Sequence, residues 1–238
     1  MRTAYTVFRN LYNVRKMTMK LVLASGSQRR RELLTMCGYD YEIIVSNADE
    51  TIDESDPENF VRALSFRKAK EVFDRLFAAG RRDFAVIGSD TVVAFQKDGE
   101  TKPVIIGKPK DAKDAVRILS MLSGKTHRVF TGVSVIADIP DENAAAQCSI
   151  REKAEIQTEC SITEVTFETL SPDEITDYVN SGDPLDKAGS YGIQGPFGMF
   201  VREIRGNYFT VIGMPIPVLY KMLKKIGILP HGFYERIE

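Results

Sequence analysis

Histidine occurs only at positions 127 and 231, and tryptophan is missing altogether. Two imidazoles so far apart in the chain argue against a histidine-built metal centre. Any metal used would be a hard cation held by carboxylates and phosphate oxygens. Cysteine is scarce too: Cys37, Cys148 and Cys160 form no C-x-x-C pair. That argues against a disulfide framework or a zinc knuckle and favours a reducing cytosol, hence a cytoplasmic location. No apolar run approaches the roughly 18 residues that span a bilayer, so no membrane partner is expected. Charge of one sign is lacking as well. The 32 Lys and Arg against 33 Asp and Glu leave a net charge of −1, without the broad basic field that holds nucleic acid polymers. An anionic ligand must be met by local positive charge.

What is present is ordinary for a globular protein. Its 238 residues, 43% of them hydrophobic, suffice for one large domain or one domain divided by a cleft into two lobes. Arg2, Arg9, Arg15 and Lys16 stand in an N-terminal stretch with no acidic residue. Residues 1–19 are expected to lie apart from the domain, as an organelle presequence, a disordered leader, or an over-long start before Met17 or Met19. The single two-lobed domain is then residues 20–238.

Short apolar runs alternate with helical patterns. Residues 20–24 (KLVLA) read as a buried strand, followed by a Ser-Gly-Ser turn and a helix over 28–37. Residues 41–45 form a second strand. A long helix then opens with Asp56 as N-cap and Pro57 at its first position. Residues 84–95 (FAVIGSDTVVAF) predict a strand region broken at Ser89-Asp90. A helix capped by Asp111 follows, then strands at 129–136 and 162–170 joined by a polar excursion over 138–158. Ser171-Pro-Asp-Glu174 is a capping box. Beyond a glycine-rich loop come strands near 199–204 and 207–212 and a last helix over 215–226. The alternation argues an α/β fold with a mixed sheet.

Several segments carry chemistry. Arg29, Arg30 and Arg31 open a helix whose N-terminus is already positive, an unfavourable arrangement of about 0.3–1 kcal/mol each unless an anion binds there. Ser25 and Ser27 add hydroxyls; the bland alternative is a solvated basic patch with Ser27 as N-cap. Asp90 is a carboxylate in a buried strand region, which suits a metal, a lysine or an activated water, or else a turn between two strands. Glu50 lies in an acidic loop that is either solvated or close enough to Asp90 to share a metal. Lys68 on the long helix, Lys108 between Gly107 and Pro109, and Lys187 before Ala188-Gly189 are either surface charges or aimed amines. Arg29, Lys108 and Lys187 together could neutralise a triphosphate. Gly189, Gly192, Gly195 and Gly198 space a run of tight turns holding Gln194, whose amide could read a base edge. Ser123-Gly-Lys-Thr126 is not a P-loop, because Leu119 stands where that motif needs glycine.

Taken in order, LASGSQRRRELL, SDTVV, GKPKDAKDAVRILSMLSGKTHRVFTGV and DPLDKAGSYGIQGPFGMFVREIRGNYFTVIGMP resemble the Maf family of nucleoside triphosphate pyrophosphatases over about residues 20–228. The resemblance implies an elongated Maf/ITPase-like mixed sheet flanked by helices, with two lobes around a central cleft, commonly as a homodimer. It also implies cleavage between the α and β phosphates with a divalent cation, Mg2+ before Mn2+ or Co2+. Asp90 matches the family's proton acceptor and is placed either to take a proton from the attacking water or to hold the metal, with Glu50 as a further metal ligand. Ser25, Arg29, Arg30, Lys68, Lys108 and Lys187 become phosphate contacts. Arg29, Thr91 and Gln194 occupy the positions that separate subtypes, and this combination resembles the dTTP/UTP branch rather than the 7-methyl-GTP branch. Gln28 replaces the usual proline before the double arginine. The substrates implied are normal or modified pyrimidine triphosphates, in a house-cleaning role. The rival is a non-catalytic, nucleotide-binding regulator of septum formation.

Overall fold

A computed structural model describes residues 19–96, 99, 102–139 and 154–231. Residues 1–18 of the expected leader, the part of the polar excursion at 140–153 with Cys148, and residues 232–238 lie outside the described residues.

The strands are β1 (Lys20–Leu23), β2 (Tyr41–Ile43), β3 (Phe84–Phe95), β4 (Val104–Ile106), β5 (Thr126–Asp138), β6 (Ala154–Phe167) and β7 (Val201–Arg205). The helices are α1 (Gln28–Met36), α2 (Pro57–Ala78), α3 (Ala112–Leu122), α4 (Pro172–Asn180), α5 (Tyr208–Ile212) and α6 (Ile216–Lys225). One mixed sheet runs β2-β1-β3-β5-β6-β7, with β4 also on β3. Strands β1, β2 and β3 are parallel, and the remaining pairs are antiparallel. The fold is α/β, as the alternation of patterns predicts.

Three expectations need correction. Strand β3 is not broken at Ser89-Asp90: it runs unbroken, with Asp90 opposite Gly132 of β5. The excursion is shorter than 138–158, because β5 and β6 extend into it and pair as far as Asp138 with Ala154. Residues 207–212 are not a strand. The run YFTVI has β-forming residues, yet Asn207 caps a helix by accepting from the Phe209 N–H at 2.9 Å, and Gly213 ends it in the left-handed region at φ 111°. Two local capping signals outweigh the propensity of five residues.

Strand β3 positions everything that follows. Its even residues face α2 and its odd residues face the other side, by simple strand alternation. Near its start, Phe84 and Val86 pack with α2, while Ala85 and Ile87 join a core with α1 and α6. Near its end, Val93 and Phe95 join a second core with α3 and α4, and Val92 and Ala94 pack with Val61 of α2. Between these apolar ends lies a buried polar waist of Ser89, Asp90, Thr131 and Ser134. The same edge of β3 that pairs β1 over 84–87 pairs β4 over 93–95. Among the described residues no strand covers that edge between them, and the gap opens as a cleft.

Helix α2 sits unusually close to this waist. A Cβ on Gly88 would lie 2.2 Å from the Ser65 carbonyl oxygen, and one on Gly132 would lie 2.2 Å from that of Val61. Only glycine lets backbone meet backbone at this distance.

Candidate active site

A cavity of about 1190 Å3 fills the gap. It is lined by Ser25, Arg29, Arg30, Glu50, Lys68, Asp90, Thr91, Lys108, Lys187 and Gln194, which brings every sequence-predicted site residue to one space.

Asp90 forms the floor. Being even-numbered on β3, it points at α2, and Lys68 lies on the sheet-facing stripe of that helix with Val61, Leu64, Ser65 and Ala69. The Lys68 Nζ donates to Asp90 Oδ1 at 2.8 Å, with both side chains nearly buried (12% and 11% exposed). The same ammonium contacts Glu50 Oε1 at 3.1 Å, so two carboxylates from different segments converge on one cation. A pair this sheltered is much less screened than a surface ion pair.

Thr91, odd-numbered, points the opposite way. Its Oγ1 pairs with Thr131 Oγ1 at 3.0 Å and receives Arg30 Nη2 at 3.4 Å. Arg30 also donates through Nε to the Gly213 carbonyl at 2.8 Å and through Nη1 to Ser25 Oγ at 3.1 Å. It thereby ties the β1–α1 turn to β3 and to the end of α5. Burial lowers the pKa of its guanidinium, partly offset by the Asp90 charge. The Ser27 side chain makes no cap on α1; Ser25 Oγ instead accepts the Ser27 N–H at 3.2 Å. The N-terminal amides of α1 are thus left uncapped by the expected N-cap side chain, beside Arg29 in the cavity wall.

Across the cleft, Asp183 and Asp186 hold Lys187. Its Nζ donates to the Asp183 carbonyl at 2.6 Å, Asp183 Oδ1 at 2.9 Å and Asp186 Oδ1 at 2.7 Å, using all three protons. Asp186 Oδ2 also receives Arg29 Nη1 at 3.3 Å. Burial pushes the Asp186 carboxyl up, but Lys187 and Arg29 outweigh it and hold it below the usual carboxylate range. Sequence reasoning missed Asp183, Asp186 and Glu32, all of which line the cavity. The spacing Asp183, Asp186, Lys187 on one tight turn was the available clue. In total Arg29, Arg30, Lys68, Lys108 and Lys187 face Glu32, Glu50, Asp90, Asp183 and Asp186. The cleft is lined by five charges of each sign, not by cations alone. Lys108 and Gln194 are exposed at its rim.

A metal was expected at Glu50 and Asp90. Among the described residues no three His, Cys, Asp or Glu side chains cluster as a cage. Two carboxylates meeting at one ammonium nevertheless fit a small hard cation that takes its remaining ligands from water and substrate phosphates.

The family model described as Maf-like protein matches residues 20–226. The chain belongs to the Maf-like family. Its Maf-like sequence is 43% identical over 210 residues to the dTTP/UTP pyrophosphatase of Bacillus thuringiensis subsp. konkukian (strain 97-27), covering 88% of this chain and 96% of that protein. It is 40% identical over 217 residues to the dTTP/UTP pyrophosphatase of Agathobacter rectalis, covering 88% and 98%. The solved structure of the Staphylococcus aureus Ham1 protein matches with a TM-score of 0.45 at 16% identity, covering 87% of this chain and 99% of its own, too loose a likeness to carry an argument.

Proposed function

We propose that this Maf-like protein is a nucleoside triphosphate pyrophosphatase that converts dTTP and UTP, and modified pyrimidine triphosphates with them, to the monophosphate and pyrophosphate. Its relatives carry the name dTTP/UTP pyrophosphatase. The observation that carries the chemistry is the nearly buried Asp90 on Lys68, in the same cavity as Arg29, Arg30 and the uncapped N-terminus of α1.

On this reading the α1 amides, Ser25, Arg29, Arg30, Lys108 and Lys187 bind phosphate oxygens, with forked guanidinium contacts and helix N–H groups as the natural anion partners. Lys187 and Arg29 exchange their carboxylates for phosphate when substrate enters. A water attacks the α phosphorus as Asp90 takes its proton; the oxygen–phosphorus bond forms while the α–β bridging bond breaks, and pyrophosphate departs with the electron pair. Lys68, released from Asp90 as that proton arrives, is left to stabilise charge on the phosphates. A divalent cation, Mg2+ before Mn2+ or Co2+, would be held by Glu50 and Asp90 and would supply charge neutralisation and a more acidic water. Thr91 and Gln194, with Arg29, select the pyrimidine. The chain from residue 20 works as one catalytic domain of two lobes, in a cytoplasmic homodimer, a state that sedimentation checks.

The test is incubation with dTTP and Mg2+, scored for dTMP and pyrophosphate. Asp90→Asn is expected to abolish release while retaining nucleotide binding; full activity in that variant refutes the assignment. Wild-type protein that binds dTTP without releasing pyrophosphate would instead be a non-catalytic regulator.

A further inference from the structure

Tyr178 lies outside the cavity, on the buried face of α4, yet its hydroxyl is fully engaged toward it. The Oη donates to Asp183 Oδ2 at 2.5 Å and accepts the Gly192 N–H at 3.1 Å. Burial, together with the bond to Asp183, pushes the phenol pKa up, which keeps it a donor. Gly192 opens the tight turn closed by the Gly195 N–H on the Gly192 carbonyl at 3.2 Å. Gln194 rides on that turn. Asp183 packs beneath it: a Cβ on Gly192 would lie 3.2 Å from Asp183 Oδ2, and one on Gly195 3.7 Å. The other oxygen of the same carboxylate holds Lys187 at 2.9 Å, and the Lys187 stem crosses Gly192 so closely that a Cβ there would lie 2.6 Å from its Cε.

We infer that Tyr178 is a positioning residue for base selection: through Asp183 its hydroxyl fixes the Gln194 turn and Lys187 as one unit, so that the base-facing amide is set relative to the phosphate-facing cation. The inference rests on the proposed function for the roles of Gln194 and Lys187. Tyr178→Phe keeps the ring in its cluster, where that of Tyr178 lies 4.8 Å from Phe197, and removes only the hydroxyl. It leaves the buried Gly192 N–H without its acceptor and Asp183 Oδ2 without its donor. A turn loosened in this way still presents an amide, but no longer in one place, and selection for a hydrogen-bonded base edge depends on that place.

The experiment is calorimetric binding of the α,β-imido analogues of dTTP and dGTP to the full chain, for wild type, Tyr178→Phe, Asp183→Asn and the double variant. Wild type is expected to prefer the dTTP analogue, and Tyr178→Phe to lower that preference about tenfold. The double variant should show no further loss, because the two residues act through one contact. Ile175→Val, in the same buried face of α4, serves as the control that lowers the melting temperature without moving the preference. An unchanged preference in Tyr178→Phe, additive losses in the double variant, an equal shift in Ile175→Val, or a wild type without preference each overturns the inference. A wild type that binds selectively but releases no pyrophosphate from dTTP refutes the proposed function instead and leaves the coupling standing.

Discussion

Gly132→Ala places one methyl group where α2 lies against the sheet. Its Cβ would stand 2.2 Å from the Val61 carbonyl oxygen and 2.5 Å from the Val61 carbonyl carbon, where ordinary contact begins near 3.4 Å. The obstacle is helix backbone, so no side chain can turn aside, and helix and strand must part by about 1 Å. Gly132 pairs in register with Asp90, and Lys68 lies two turns along the helix from Val61. A displacement of that size stretches the 2.8 Å Lys68–Asp90 contact towards about 4 Å, beyond hydrogen-bonding range. Overpacking of this kind costs about 1–3 kcal/mol, which at this chain length lowers the melting temperature by roughly 2–12 °C. If the pair has the proposed role, misplacing it by about 1 Å costs on the order of 100-fold in rate. The assay is pyrophosphate release from dTTP beside a thermal melt, with Gly107→Ala as the stability control because a Cβ there meets nothing within 4 Å. A Gly132→Ala protein that melts and turns over like wild type would refute the idea that close helix docking sets Lys68 on Asp90.

Three further outcomes are expected. Burial lowers the His127 pKa to about 3 from its ordinary 6.5, so between those values the unfolded chain binds a proton that the folded chain refuses, and stability falls as pH falls. The loss between pH 6.5 and 5 is roughly 2 kcal/mol; urea midpoints at those two pH values should differ less in His127→Phe. Asp186→Ala removes the carboxylate shared by Arg29 and Lys187, leaving the cleft more positive. Its KM for dTTP should fall severalfold at low salt, with the gain fading as salt screens it. Ser171→Ala removes one half of the capping box of α4, the Glu174 N–H bond to Ser171 Oγ at 3.2 Å, and leaves the other half, in which the residue 171 N–H donates to Glu174 Oε2. It should cost about 1 kcal/mol by chemical denaturation without altering base preference.

Which parts of this molecule can be read from the chain follows from the range of the forces involved. Asp56-Pro57, Asp111 and Ser171-Pro-Asp-Glu174 announce their helices because a cap is satisfied within three residues. Asp90 and the arginines that open α1 are chemically conspicuous wherever the fold places them, because a buried charge or a cation at a helix start calls for a partner, whereas Glu50 and Lys68 read first as solvated charges and Thr91 is found only through the family resemblance. The unbroken course of β3 through Asp90 was not legible: Gly88-Ser89-Asp90 looks like a turn until Gly132, more than forty residues later, pairs opposite it. The Lys68–Asp90 contact spans a helix and a strand that meet closely at Gly88 and Gly132, a fit between surfaces rather than a pattern along either one. Residues 207–212 misled for the converse reason, since intrinsic strand preference is weak beside a cap at each end.

That β3 and β5 stay hydrogen-bonded from Ala85–Ala137 to Ala94–Arg128 also limits how the molecule can move. A jaw swinging on a flexible joint would have to break that ladder, so admission of a nucleotide is confined to bending and twisting of a paired ribbon, and the pocket is largely formed before anything enters it. In hydrogen exchange the amides of these two strands should be the slowest in the protein and should open together, with nucleotide protecting the rim around Gln194 and Lys108 far more than the floor.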